Sequence, residues 1–338
     1  MSGGEILVYA LYAFAVIVPL LPGLLELRTG SDDDPLRIDS SYARDPRFLG
    51  KSMREKMAPI LNQTKGEARV PFLNRKNEYA RVVNALDGGD RTAFEDVVLS
   101  RGTLCVGNES ELLDIYARGN VRVGSGSRLR TLAGDADADL GPGTQVVRWI
   151  DVNGNCSIGN GSDLGQSVSA TGRVVLGDNV RFNRVFGRPV VSVTGQRAEV
   201  RALGIGPMFT TSMAVDRLLV KTVFVEPDET YDVDIIASSD VEVGPGACVM
   251  GSIKSRGRVL IGEGATVIGN IIARGTVTLK ADATCFGHIF GEGDVMLEEG
   301  ALVGERHAPK TLHASRTAVI SPGACVFGWV IAERGGRT

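Results

Sequence analysis

"VEVGPGACVMGSIKSRGR" (Val241–Arg258) is followed at once by "VLIGEGATVIGNIIARGT" (Val259–Thr276). Laid one over the other, the two stretches match apolar residue for apolar residue and glycine for glycine. Numbered from its first valine, the pattern extends in both directions. Position one holds Val223, Val241, Val259, Val277 and Val295; position three holds Val225, Val243, Ile261, Leu279 and Leu297. Alanine recurs at position seven (Ala247, Ala265, Ala283, Ala301) and isoleucine at position thirteen (Ile235, Ile253, Ile271, Ile289). Apolar residues thus come as i, i+2 pairs every six residues. A spacing of two means a short strand with one face inward. Three six-residue blocks per repeat mean a three-sided coil with glycine at its corners.

The same beat runs upstream. The residue before each G-x-G or its variant is Val106, Val123, Leu140, Ile158 and Leu176, in steps of 17, 17, 18 and 18. A last copy, "AVISPGACVFGWVIAERG" (318–335), puts Ile320 in column three. A fixed short period over most of a chain defines a solenoid, in which each turn is template and core for its neighbour. The reading is therefore an all-β, single-stranded parallel β-helix of about 18 residues per turn, a triangular β-solenoid over residues 103–338. Two breaks interrupt it. Residues 188–222 fit the step poorly, and the coil is expected to continue there with distorted turns or an excursion. "ERHAPKTLHASR" (305–316) lengthens the step between Leu297 and Ile320 and reads as a loop over 305–317.

The 338 residues include 43 glycines and 6% aromatics, which suits tight turns around a narrow core. A net charge of -3 leaves no basic excess for tracking phosphates, so nucleic acid is not an expected partner. The five cysteines form no C-x-x-C pair and no even framework, as expected of free thiols in a reducing compartment. Cys156 and Cys285 fall on inward columns; Cys248 and Cys325 share position eight, just outside the inward pair.

The N-terminus differs in kind. "ILVYALYAFAVIVPLLPGLL" (6–25) is an uncharged apolar run long enough to span a bilayer as a helix. It lacks the basic lead-in and small-residue cleavage site of a signal peptide. Arg28, Arg37, Arg44 and Arg47 follow it and no Lys or Arg precedes it, which orients the bulk of the chain to the cytoplasm. Residues 1–27 are thus expected to be a single-pass anchor, with Ile6, Leu7, Val8, Phe14, Val16, Ile17, Leu20 and Leu21 facing lipid. Residues 28–61 read as a linker ending in a short amphipathic helix at 48–61. That helix either lies on the anionic inner leaflet or packs on the coil. Residues 62–102 show no clean period and read as an N-terminal cap.

"GPGACVMGSIKSRGRVLIGEGATVIGNIIARG" (244–275) resembles the bactofilins, bacterial polymer-forming cytoskeletal proteins. Their pattern is met by Val259, Ile261, Gly262, Ala265, Val267, Gly269 and Ile271. The likeness is good over 223–334 and loose over 103–186. It implies a cofactor-free, non-enzymatic β-helix that assembles end to end, associates with the bacterial inner membrane and positions envelope-building or polysaccharide-related proteins. The chain departs from short bactofilins in its length, its membrane span and its first set of turns.

Two other classes fit the residues. Hexapeptide-repeat acyltransferases share six-residue blocks and use a histidine base; the candidates here are His288, His307 and His313. No second motif supports a catalytic role, and solvated histidines explain them. His288, at position twelve, is expected to point outward. The glycine-rich corners lack the lysine and helix of a phosphate loop, and no metal set is visible. A monomeric membrane-bound adaptor, docking through 188–222 and 305–317, is the other class. Coil ends carry unpaired strand edges. The final turn is expected to be open, so Val326, Trp329 and Ile331 are the candidate self-association contacts.

Overall fold

The computed structural model describes residues 4, 11–12, 14–21, 45–72, 78–193, 216–220 and 222–338. They fall into two compact units, Met1–Arg44 and Asp45–Thr338. In the first unit, Leu11, Tyr12 and residues 14–21 are helical, and Phe14, Val16, Ile17, Leu20 and Leu21 are exposed. Ile6, Leu7 and Val8 lie outside the described residues. Among the described residues no helix is long and apolar enough to cross a membrane.

The second unit is a β-solenoid of about 13 turns. Its strands are two or three residues long on most faces because a three-residue strand supplies one inward pair before the corner. Val225, Val243, Ile261, Leu279, Leu297 and Ile320 sit in register on successive turns. The earlier column, Val106, Val123, Leu140, Ile158 and Leu176, is likewise in register. All of these side chains are buried. Alanines 247, 265, 283, 301 and 324 are fully buried beside a corner. Ala237, Ser255, Ala273, Gly291, Ala314 and Ala332 make a second file of small residues at position fifteen. Position six is left-handed on every turn from Asp228 (φ 59°) through Gly246 (φ 68°) to Gly323 (φ 77°), which is why glycine dominates there.

Polar side chains tie the corners along the axis. In the first half, Asn108 N–H donates to Asp90 Oδ1 (2.7 Å), and Ser125 N–H donates to Asn108 Oδ1 (2.8 Å). In the second half, Ser252, Asn270, His288 and Thr311 each donate a backbone N–H to the side chain one turn back: Asp234 Oδ1 (2.7 Å), Ser252 Oγ (3.1 Å), Asn270 Oδ1 (2.8 Å) and His288 Nδ1 (3.0 Å). Each bond satisfies a backbone donor that the corner turns away from the strand ladder.

Three boundaries differ from the sequence reading. The coil begins earlier than residue 103: Tyr79–Val83 already pairs in parallel with Val97–Ser100, and Leu86–Gly88 with Leu104–Val106. Gly88 stands where the column has an aliphatic residue, so this turn left no periodic signal. The cap is narrower than 62–102: Ala68–Pro71 folds antiparallel onto Tyr79–Val83 and covers that edge. The late insertion is also shorter, because Lys310–Ala314 has already rejoined the coil beside Ile289–Gly291.

A further difference is topological. The described parts of 188–222 belong to two coils rather than one, and residues 194–215 and 221 lie outside the described residues. The first closes with one long strand, Arg181–Ser192, and the second opens at Asp216–Val220 and closes with Cys325–Arg337. Each closing strand wraps all three faces of its own last turn. The two then pair with each other antiparallel, from Arg181 opposite Arg337 to Val191 opposite Cys325. The halves therefore meet tail to tail, and one apolar core runs through both. Phe182, 2% exposed, fills the core where they meet. Its ring lies against Gly336, where an added Cβ would stand 2.1 Å from a ring carbon. Thr338 finishes the seam: its Oγ1 donates to Gly177 O (2.7 Å) and accepts from Val180 N–H (3.0 Å).

Gly336→Val is expected to open the seam, because the isopropyl group and the Phe182 ring claim the same space. Hydrogen exchange should accelerate at residues 181–192 and 325–337 while Val241–Leu279 keeps its protection. Unchanged exchange at the closing strands would show that Phe182 is free to move aside.

Candidate functional site

The residues expected to drive self-association lie inside the seam. Val326 is opposite Val190, Trp329 opposite Phe186 and Ile331 opposite Arg184. On their other side they pair with Val303, Thr311 and His313 of the preceding turn. Both edges of the final strand are thus occupied, and the expected open last turn is corrected: the chain's own first half covers it. The signal was present as a repeated tripeptide. Val185-Phe186-Gly187 and Val326-Phe327-Gly328 end the two halves, and Gly187 faces Gly328 across the seam.

A second built region holds the helix Phe48–Gln63 against the flank of the first coil. Met53, Met57 and Leu61 are its buried stripe, packed with Leu99, Tyr116 and Ala133. Lys51, Glu55 and Lys56 face water. Of the two sequence readings, packing on the coil is the one realised. The contact is fixed by a buried carboxylate. Asp151, 1% exposed at its side chain, accepts from Arg47 Nε (2.8 Å), from Arg54 Nη1 and from Ser169 Oγ (2.6 Å). Arg54 Nε also donates to Asp135 Oδ1 (2.9 Å), whose other oxygen accepts from Tyr116 Oη (2.9 Å). Tyr116's hydroxyl is held above its ordinary pKa, first by burial and then by that bond. Gly50 makes the close approach possible, since a Cβ there would lie 2.2 Å from Asp151. Sequence reading missed this network because its members lie about 100 residues apart.

The histidines separate. His307 is exposed on the inserted loop. His313 lies in the strand beyond it, half-buried, with Nε2 3.1 Å from Glu333 Oε1. His288 points outward as expected and stacks on Phe290 with ring centroids 6.0 Å apart. Its Nδ1 is already an acceptor for Thr311 N–H, so that nitrogen is not free to take a proton. Burial, and then Lys310, hold its pKa below the usual histidine value. The three histidines do not converge on one site, and no group of three metal-ligating side chains occurs among the described residues. Burial raises the thiols of Cys156, Cys285 and Cys325 to about 12, so they are packing groups rather than thiolates. Cys325 is more buried than its column suggested because Val191, Leu302 and Phe327 cluster around it at the seam.

Comparisons with family models, with curated proteins and with solved structures find no match for this chain.

Asp151→Ala should strand two half-buried guanidiniums and cost about 3–5 kcal/mol locally, the usual loss when one partner of a buried pair is removed. Limited proteolysis would then cut between residues 45 and 63 first, with the coil intact. A cleavage pattern equal to the wild type would mean that the apolar stripe alone holds the helix.

The lowered pKa of His288 gives a pH dependence of definite sign. The folded chain favours the neutral ring, so this contribution is whole above the unfolded value of about 6.5 and is lost as pH falls through the lower folded value. Stability is therefore expected to fall on acidification below about pH 6.5. His288→Asn, whose amide oxygen still accepts from Thr311 N–H, should flatten that part of the profile in chemical denaturation.

Proposed function

We propose that this chain is a membrane-anchored, non-enzymatic scaffold of the bactofilin kind: a rigid β-solenoid held at the bacterial inner membrane, cytoplasmic in its bulk, that associates with other copies end to end and presents envelope-building partners along its sides. The observation that carries the reading is the pairing of the outer turns. With the tails joined inside the chain, self-association moves from Val326, Trp329 and Ile331 to the opposite ends of the two coils. At the outer end of the second coil, Asp216–Val220, Val223–Val225 and Thr230–Tyr231 each pair with one strand only among the described residues. Such an edge is a template for another strand. Val223 N–H donates to Asp240 O and Gly244 N–H to Val225 O. By the alternation of a parallel ladder, the Phe224 N–H points away from the coil. Phe224 itself is 50% exposed. The anchor is supported by the apolar run 6–25 and by the exposed, helical Phe14, Val16, Ile17, Leu20 and Leu21. An acyltransferase reading gains nothing from histidines that stand apart.

The sealed tail also favours a second reading, a monomeric membrane adaptor that docks partners through its flanks. Sedimentation of the detergent-solubilised full chain separates the two. Assembly should rise with concentration, with negative stain showing rods joined at their tips. Phe224→Pro, which deletes the outward donor, should return the sample to single rods. A mass independent of concentration would establish the adaptor instead. Ile17→Glu with Leu20→Glu should move the chain from the membrane to the soluble fraction; retention at the membrane would remove the anchor from the proposal.

A further inference from the structure

The seam creates a groove that neither coil has alone. It has a volume of about 460 Å³ and is lined by Asp163, Arg181 and Asn183 from the first coil and by Thr317, Arg334 and Arg337 from the second. The volume is within the usual range for small-ligand sites.

Its charges are arranged against the interests of the fold. Arg181 and Arg337 are register partners across the antiparallel seam, where like charges repel. Arg334 adds a third guanidinium. Only Arg181 has a carboxylate partner, Asp163 at 3.2 Å, and that pair is largely exposed. Neither Arg334 nor Arg337 has an ion pair among the described residues. The seam itself is built by other means: strand pairing, Phe182 on Gly336, and Thr338. The three arginines thus contribute nothing visible to holding the halves together, yet the fold gathers them in one concavity with a net charge of +2 (three arginines, one aspartate).

The neighbours refine the ligand. Guanidinium forks match phosphate oxygens in a bidentate way. Asn183 is oriented by its Nδ2, which donates to Gly165 O (3.0 Å), and this leaves its amide oxygen as an acceptor. Asp163 is a second acceptor. Acceptors set beside cations suit hydroxyl groups carried next to an anion.

We propose that this groove is a binding site for a phosphate-bearing, hydroxylated ligand, a sugar phosphate in soluble form or as a lipid headgroup. Arg334 and Arg337 grip the phosphate, Arg181 is shared between it and Asp163, and Asn183 and Asp163 accept from the hydroxyls. Because the groove exists only where the two coils are joined, ligand binding also reads out an intact seam. The proposal is independent of whether the chain assembles at its tips.

Isothermal titration of the detergent-solubilised full chain with glucose 1-phosphate tests it, with glucose as the uncharged control. Saturable binding is expected for the phosphate ester and none for glucose, and added salt should weaken it. Arg334→Gln with Arg337→Gln should reduce affinity at least tenfold without lowering thermal stability, since the change relieves a repulsion. Arg334→Gln alone, off the paired register, should weaken binding even if the double variant folds poorly. Arg306→Gln, on the exposed loop, should bind as the wild type does. A short-chain, water-soluble phosphatidylinositol forms the second arm: tighter binding than glucose 1-phosphate assigns the site to a headgroup, and weaker binding assigns it to the soluble ester. No saturable binding to either, or equal binding by wild type and Arg334→Gln, overturns the proposal.

Discussion

Everything in this molecule depends on the hydrogen-bond ladder that runs along the coil axis. Most strands are two or three residues long and would be worthless alone. Stacked in register, the strands make a continuous sheet on each of three faces, and their inward side chains make axial files, a pair to each face. The ladder also sets the molecule's main liability. A stack of turns has a first and a last turn, and each exposes a row of unmet donors and acceptors. The structure meets this in different ways at different places. A hairpin strand, Ala68–Pro71, covers part of the first edge. Two whole terminal turns cover one another at the centre.

How much of this the sequence reveals depends on the range of the interaction. Files between adjacent turns repeat every 17 or 18 residues, so Val243, Ile261 and Leu279 announce their own stacking. The alanine column follows from the same period. Interactions without a period left little trace. The turn at Leu86–Gly88 was invisible because a glycine took an aliphatic position. The Asp151 network joins residues 47, 54, 135 and 151, each unremarkable where it stands. The reversal at the seam was hardest, since an antiparallel contact between turns far apart in the chain has the same local pattern as a coil that simply continues. Only the doubled Val-Phe-Gly hinted at two endings rather than one.

The helix Phe48–Gln63 and the seam follow one logic. In each, an irregular segment is fixed to a regular coil by a few side chains of high consequence: a buried carboxylate between two arginines in one case, a phenylalanine on a glycine in the other. The coil tolerates change at many outward positions because its stability is spread over many equivalent rungs. These attachment points have no such redundancy. They also sit where function would be added to an inert tube, at the segment that leads from the N-terminal unit and at the concavity between the halves.

The opposed directions of the two coils have a geometric consequence. A lone parallel coil is a vector, with tips that differ in the sense of every backbone amide. Here the vector is folded back on itself, so within Asp45–Thr338 each coil advances from its own outer tip toward the shared seam. The unit has no single axial polarity, although its tips differ, since the first carries the hairpin strand Ala68–Pro71. Copies joined like tip to like tip would build a string whose coil directions alternate, able to mark a place and bear tension but unable to tell any passenger which way to travel.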